Sequence, residues 1–327
     1  MRISVCMGIY NGEKYIVQQL ESLRRQTRKP DEVILCDDGS TDKTRSIVGK
    51  YLENHRELSS WKFICNAENR GYPGNFYYAM GQCTGDVVFL ADQDDIWAED
   101  KIARMSGLME KQTEIKVLAC TYGLIDDQEN AIHTVMSPTA GKTDGNFHRM
   151  SIGYVFYKYE WPGMVLAYRN RWYQERMQEN TESDETVDKC WNIPHDFLLC
   201  AWAAEEDGFY QLEEVLAYHR RHEHNTALEE HRIGKLLNKV RKLKEIEGYS
   251  TILAEFAEKK VLRTEKGRKT LEEKRISMQD RYEALQSGKI RYVLKNAWNH
   301  RKQVRAATLI CDVLIVWQRA ESRESEC

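Results

Sequence analysis

The first 120 residues alternate short apolar runs with amphipathic segments, and this alternation restricts the fold more than any other feature of the chain. Ile3–Ile9 reads as a buried strand. In Gly12–Gln26, residues Tyr15, Ile16, Gln19, Leu20 and Leu23 recur at helical spacing. The order then repeats as Glu32–Cys36 (strand), Thr41–Leu52 (helix), Trp61–Cys65 (strand), Gly74–Met80 (helix), Asp86–Leu90 (strand), Ala98–Glu110 (helix) and Val117–Tyr122 (strand). Strands and helices of these lengths in strict succession predict an α/β fold of βαβ units around a central, mostly parallel sheet, with helices on both faces. Ligands of such sheets bind beyond the carboxyl ends of the strands. Polar clusters at those ends are therefore the candidate site.

Beyond Asp126 the pattern gives way to a Gly/Thr/Asn-rich loop as far as about Met150. Regular structure is expected again at Trp161–Tyr168, His195–Ala204 and Leu212–Tyr218. No proline follows Pro194, and from about Arg232 the chain is rich in Lys, Glu, Leu and Ala, which predicts consecutive helices broken near Gly248, Gly267 and Gly288. Charge divides the chain at the same place. Residues 1–231 hold 25 Lys and Arg against 38 Asp and Glu, whereas residues 232–327 hold 23 against 13. Two domains with different partners are expected, 1–231 (halves 1–125 and 126–231) and a basic helical region 232–327. The nine cysteines are scattered without a C-x-x-C pair, which argues against a disulfide framework or a zinc site and for a reducing cytosol. Met1 runs straight into a strand, so no signal peptide is expected, and Ala306–Trp317 is too short to span a bilayer.

Two carboxylate clusters sit where strands end. Asp37-Asp38-Gly39-Ser40-Thr41-Asp42 follows the second strand. A turn with Ser40 or Thr41 capping the next helix would explain part of it, but leaves Asp37 and Asp38 without a task. Asp92-Gln93-Asp94-Asp95 follows Val87–Ala91. Three carboxylates in four residues repel one another at the edge of a core. A hard divalent cation, Mg²⁺ or Mn²⁺, relieves that repulsion and commonly joins carboxylates to substrate phosphates. The alternative is a helix start capped by Asp95.

Together these segments resemble the family 2 glycosyltransferases of the nucleotide-sugar-binding GT-A fold. The resemblance begins at Ile3-Ser4-Val5-Cys6-Met7-Gly8-Ile9-Tyr10-Asn11-Gly12 and runs through Gln19-Leu20, Ser22-Leu23, Gln26-Thr27, the Asp37–Asp42 cluster, Asn69-Arg70-Gly71 and Asn75 to Asp92–Asp95. It resumes at His195-Asp196-Phe197 and Leu216–Asn225, covering roughly residues 1–228. Ile9 departs from the small or hydroxylic residue common there. Q-L-x-S-L, D-Q-D-D-I-W, H-D-F and R-x-H-x-x-N are most similar to a bacterial rhamnosyltransferase branch.

The resemblance implies roles for individual residues. Tyr10 and Asp38 would hold the nucleotide base, with Gly8 and Asp37 beside them. Asp92 would contact the ribose and lie at the metal, Asp94 would bind the metal, and His222 would be a third protein ligand unless it is an ordinary surface histidine. Arg220 and Asn225 would contact the diphosphate or position a loop, and Asn69, Gly71, Asn75 and Gly163 would shape the donor pocket. Asp196 would be the general base that takes the proton of the acceptor hydroxyl, with His195 orienting; capping of the helix Phe197–Ala204 is its alternative task. The implied activity is metal-dependent, inverting transfer of a sugar from a nucleoside diphosphate onto a bacterial surface-polysaccharide acceptor, glycan or lipid-linked. The implied donor is dTDP-L-rhamnose, with UDP-galactose, UDP-glucose and UDP-N-acetylhexosamines open.

A nucleotidyltransferase would need a basic glycine-rich loop after the first strand, of which Gly12-Glu13-Lys14 is a poor version. A dinucleotide oxidoreductase would need G-x-G-x-x-G there, and it is missing. An inactive scaffold is opposed by Asp38, Asp94 and Asp196. Residues 289–305 carry Lys289, Arg291, Lys295, Arg301, Lys302 and Arg305 with no acid, beside Tyr292, Trp298 and the apolar run Ala306–Trp317. That pattern suits peripheral contact with an anionic membrane through 289–317, at the cytoplasmic face. Packing on the first domain or on a second copy in a homodimer is the alternative. Nothing in the front domain supports nucleic acid as a partner.

Overall fold

The computed structural model describes residues 1–132, 145–158, 161–181, 192–221, 237–301, 304 and 306–324. His222 and Asn225 lie outside them. β1 (Ile3–Ile9), β2 (Glu32–Asp37) and β4 (Val87–Asp92) are almost continuous apolar runs, as strands buried on both faces must be, whereas the edge strand β3 (Trp61–Cys65) exposes Lys62 and Cys65. They lie parallel in the order β3-β2-β1-β4. Their register decides what meets at the carboxyl edge: Gly8 of β1 stands opposite Cys36 on one side and Asp92 on the other, and Ile9 opposite Asp37.

The sheet continues past β4 through β8 (Leu166–Arg169), antiparallel both to β4 and to β6 (Val117–Ile125). β6 runs parallel to β9 (Phe209–Arg220), on which β5 (Ile96–Trp97) and β7 (Phe147–Arg149) pair antiparallel. The helices accompanying this sheet are α1 (Ile16–Arg24), α2 (Thr44–Asn54), α3 (Gly71–Gly81), α4 (Lys101–Lys111), α6 (Asn170–Thr181) and α7 (His195–Glu205). Neither Ser40 nor Thr41 caps α2, which starts later. Asp42 Oδ1 accepts Thr44 N–H at 2.9 Å, Ser40 Oγ accepts Asn11 N–H at 2.9 Å, and Asn11 Oδ1 accepts Thr41 N–H at 2.8 Å. These side chains tie the first and second strand-to-helix loops together.

Two compact units emerge, residues 1–151 with 160–222, and residues 152–159 with 223–327. The second contains α5 (Ile152–Lys158), α8 (Lys239–Glu258), α9 (Glu265–Ser287), α10 (Ile290–Asn299) and α11 (Ala306–Glu324). α8 runs through Gly248 unbroken, contrary to the sequence expectation. A single glycine costs about 1 kcal/mol in a helix, and Ile246, Leu253 and Phe256 of α8 are all buried. The break expected near Gly267 falls a few residues earlier, with Thr264 Oγ1 accepting Gly267 N–H at 2.9 Å. Gly288 does end α9, in the left-handed conformation (φ 65°) that favours glycine. Phe156 packs edge-on to Phe256, and its carbonyl accepts the Tyr249 hydroxyl at 2.8 Å. Asp312 is buried in a bidentate pair with Arg281 at 2.7 and 2.8 Å. Among the described residues no helix is long and apolar enough to cross a membrane.

The start of β4 depends on a glycine that no side chain can replace. A Cβ at Gly85 would stand 2.7 Å from Ser4 N and 3.0 Å from Arg2 O, both backbone atoms of β1 or its approach. Gly85→Ala is predicted to lower unfolding stability by about 1–3 kcal/mol, read as a fall in the denaturant midpoint; an unchanged midpoint would show that β1 and β4 yield there.

Candidate active site

The second strand delivers two adjacent aspartates with different tasks. Asp37 is fully buried, and its Oδ1 accepts Gly39 N–H at 3.2 Å, Ser40 N–H at 3.1 Å and Arg45 Nε–H at 2.5 Å. Gly39 takes φ 88° to make this turn. Asp38 Oδ1 accepts Asn66 Nδ2–H at 2.9 Å and Arg70 N–H at 2.8 Å, while its carbonyl accepts Asn69 Nδ2–H at 2.8 Å. Asn69 also accepts the N–H of Gly71, whose φ is 73°. Asn75 donates to the Cys36 carbonyl and accepts from Asn66, both at 2.9 Å. Asp37, Asp38, Asn69, Gly71 and Asn75 thus form one hydrogen-bonded edge. Asn66 at its centre escaped the sequence reading, because a lone Asn after a strand carries no signal until the parallel pairing sets it beside Asp38.

The end of β1 is shaped by close approach. A Cβ on Gly8 would stand 2.9 Å from Phe76 Cε2, so the position has no room for a side chain. Tyr10 leaves its ring about half exposed, while its backbone N–H and carbonyl are clasped by the Gln93 amide at 2.9 and 2.8 Å. Gln93 therefore links the β1 edge to the β4 edge.

At the end of β4 the three carboxylates separate. Burial pushes the Asp92 carboxyl well above the usual range; the charges of Asp95, Asp94 and Asp196 add to this and His219 opposes it. Asp94 is half-buried, and its carbonyl accepts Arg220 Nε–H at 2.9 Å. Asp95 does not cap a helix. It is fully buried, and its Oδ1 accepts His219 Nδ1 and Arg220 N–H, both at 3.0 Å, whereas Oδ2 is buried without a partner. Burial works against a charged His219 ring, yet the Asp95 carboxylate outweighs it and the pKa of the ring is raised.

Arg220 is fully buried. Besides Asp94, its guanidinium donates to the carbonyls of Asp126 and Asp127 at 3.1 and 3.3 Å, pairs with Glu129 at 3.3 Å, and lies 4.8 Å from the centre of the Tyr15 ring. This geometry positions the loop after β6.

Asp196 lies in the first turn of α7, nearly buried, with Oδ1 accepting Phe197 N–H at 2.7 Å. A Cβ on Gly163 would meet both His195 Nε2 at 3.0 Å and Leu90 Cβ at 3.7 Å, so the H-D-F segment lies beside β4. His195 is fully buried, stacked on Phe76 at 4.0 Å between ring centres, with neither ring nitrogen hydrogen-bonded. Burial lowers its pKa to about 3. Gly163 makes room for it, since a Cβ there would stand 3.0 Å from His195 Nε2.

The model of glycosyl transferase family 2 matches residues 4–177, just over half of the chain. The chain belongs to that family. EpsE of Bacillus subtilis, which is named as a glycosyltransferase, is 30% identical over 126 residues, covering 38% of this chain and 45% of that protein. A chondroitin synthase of Escherichia coli is 32% identical over 130 residues, covering 40% of this chain and 18% of that one. The chain spans less than half the length of either. Among solved structures, S. aureus TarS residues 1–349 superimposes in complex with UDP at TM-score 0.57 and 16% identity, and in complex with UDP-GlcNAc at 0.54 and 18%. Each covers 98% of this chain and 92% of that one. The likeness is one of fold, and the fold is GT-A.

A divalent cation fits the donor set of this family 2 protein. Asp92 and Asp94 supply hard oxygens, and next to them in the chain Asp95 Oδ2 is buried without a hydrogen-bond partner. Among the described residues no group of three or more His, Cys, Asp or Glu side chains assembles a complete cage. Lys101, also unforeseen from the sequence, is buried with its ammonium 3.7 Å from the centre of the Trp97 ring, donating to the Met164 carbonyl. Burial lowers its pKa to about 8, although the charges of Cys120, Asp95 and Asp92 pull the other way.

Arg220→Met keeps the apolar stem and removes the donors. The Asp94, Asp126 and Asp127 carbonyls belong to half-buried or exposed residues that water can reach, so a stability loss of about 1–3 kcal/mol is predicted, with faster amide exchange at Asp126–Asn130. Unchanged exchange there would show that the loop is held by other contacts.

Proposed function

We propose that the protein is a metal-dependent, inverting glycosyltransferase with Asp196 as its general base. The observation that carries this reading is that Asp196, buried in the first turn of α7, follows His195, which meets Gly163 beside Leu90 of β4, the strand that ends in Asp92. One candidate proton acceptor and one candidate diphosphate site therefore share a single edge of the sheet. Asp196 takes the proton of the acceptor hydroxyl as its oxygen attacks the anomeric carbon on the side opposite the diphosphate; one displacement inverts that centre. Asp92 and Asp94, with His222 as a further ligand, would hold a divalent cation, which would supply charge neutralisation for the leaving diphosphate. His195 is kept neutral by burial, so it does not compete for the proton and instead supports the first turn of α7 against Phe76. Tyr10 and Asp38 hold the nucleotide base, with Asp37 shaping the turn beneath them. Gly8, Asn69, Gly71, Asn75 and Gly163 line the donor pocket, Asn225 contacts the diphosphate, and Arg220 fixes the loop beside it.

The donor proposed is dTDP-L-rhamnose, on the motifs shared with the rhamnosyltransferase branch. A UDP-sugar is the second reading, favoured by the UDP and UDP-GlcNAc complexes of TarS, a protein of like fold. The acceptor proposed is a growing surface polysaccharide, glycan or lipid-linked, at the inner face of the plasma membrane; one relative is a chondroitin synthase and so builds a polysaccharide.

A panel of dTDP- and UDP-sugars, each with Mn²⁺ or Mg²⁺, is expected to raise the melting temperature for the true donor, since a ligand of the native state stabilises by mass action. Asp196→Asn should then leave donor affinity within a factor of a few and lower kcat about 10²–10⁴-fold. Transfer surviving within a factor of a few would place the base elsewhere.

A further inference from the structure

Among the described residues, two helices of the second unit expose an apolar stripe, one flanked by cations and the other free of exposed acid up to Trp317. On α10, Arg291, Leu294, Lys295 and Trp298 are exposed at i, i+3, i+4 and i+7, with Tyr292 beside them. Trp298 is 74% exposed, more than any other large hydrophobic residue among those described, and Leu294 is 51% exposed. The opposite face of α10 is closed, with Val293 and Asn296 buried. On α11, Ile310, Leu314 and Trp317 are exposed at i, i+4 and i+7, while Asp312, Ile315 and Val316 are buried on the other side. Leu309 and Val313 are only half-exposed, so the outward stripe is narrower than the apolar run of the sequence. The one acid in α11 up to Trp317 is Asp312, already paired with Arg281.

We propose that α10 and α11 form a docking surface for an anionic lipid bilayer. A protein partner with an apolar groove would accept the two stripes, but it would gain nothing from Lys289, Arg291, Lys295 and Arg301, which flank the exposed Leu294 and Trp298 without a single acid between them. An interfacial helix needs both parts: an apolar stripe that enters the acyl boundary, and cations that meet the headgroups. Tryptophan, with a polar N–H on an apolar body, is suited to that depth. α11 adds a second apolar stripe without the charge repulsion that an exposed acid would bring. The inference rests on the reading that places the acceptor at the membrane, yet it uses no residue of the catalytic edge.

The test is co-sedimentation of the full chain with vesicles of phosphatidylglycerol and phosphatidylcholine, against phosphatidylcholine alone, without donor or acceptor. Binding is expected to the anionic vesicles and to weaken as salt is raised. Each basic residue near such a surface is worth about fivefold in the binding constant. Replacing Lys289, Arg291, Lys295 and Arg301 by Gln should therefore weaken binding several-hundredfold while soluble donor hydrolysis and melting temperature stay unchanged. Bromine-labelled lipid should quench tryptophan emission in the wild type and not in Trp298→Phe/Trp317→Phe. Binding that ignores lipid charge and salt would overturn the proposal. So would absence of vesicle binding, including the case in which the exposed stripes mediate a dimer that Leu294→Ser/Trp298→Ser disrupts. Loss of donor hydrolysis in Asp196→Asn with vesicle binding intact keeps the two readings separable.

Discussion

Three carboxylates leave β4 within four residues, at the point where the low-dielectric core ends. Asp95 is drawn inward and fastened to His219 and to the backbone of Arg220 at 3.0 Å. That contact fixes where β9 passes, and it also places the Arg220 guanidinium among the carbonyls of Asp94, Asp126 and Asp127. With one carboxylate buried as an anchor, Asp92 and Asp94 remain crowded at the rim. The crowding there is built into the fold, because moving Asp95 outward would leave His219 and the Arg220 N–H without their acceptor.

The pairing register makes this local conflict into a site. Gly8 lies between Cys36 and Asp92, so the ends of β2, β1 and β4 come level and their loops face one another. Gln93 clasps Tyr10, Asn11 and Ser40 tie the first two loops, and Asn66 joins Asp38 to Asn75. Few of these side chains retain freedom, so the edge is largely preformed. α7 comes beside β4 with His195 stacked on Phe76 and Asp196 buried in its first turn.

The elements that hydrophobic pattern alone determines were legible. Ile3–Ile9 and Trp61–Cys65 are strands over the expected residues, and the parallel order follows from the alternating helices. Pattern fails where tertiary context decides. The short strands Ile96–Trp97 and Phe147–Arg149 exist because β9 offers them a partner, and neither is long enough to show a period. α8 passes Gly248 because its neighbours' burial outweighs one glycine. Within the site, the carboxylates and glycines were visible as clusters at strand ends. The division of labour was not: that Asp95 is an anchor, that Asn66 is a hub and that Lys101 is buried beneath Trp97 follow from partners distant in sequence.

The central proposal is that the carboxylates after β4 are the site of a cation that accompanies a nucleoside diphosphate. Burial and the neighbouring carboxylates raise the Asp92 carboxyl above the usual range, so on this proposal cation binding there is accompanied by proton release. The direct measurement is calorimetric titration of UDP or dTDP with and without Mn²⁺, repeated in two buffers of different ionisation enthalpy, on the wild type and on Asp92→Asn. Diphosphate binding that requires the cation and releases protons in the wild type, with the release lost in the variant, is the predicted result. Equal binding with and without Mn²⁺, and no proton release from either protein, would contradict it.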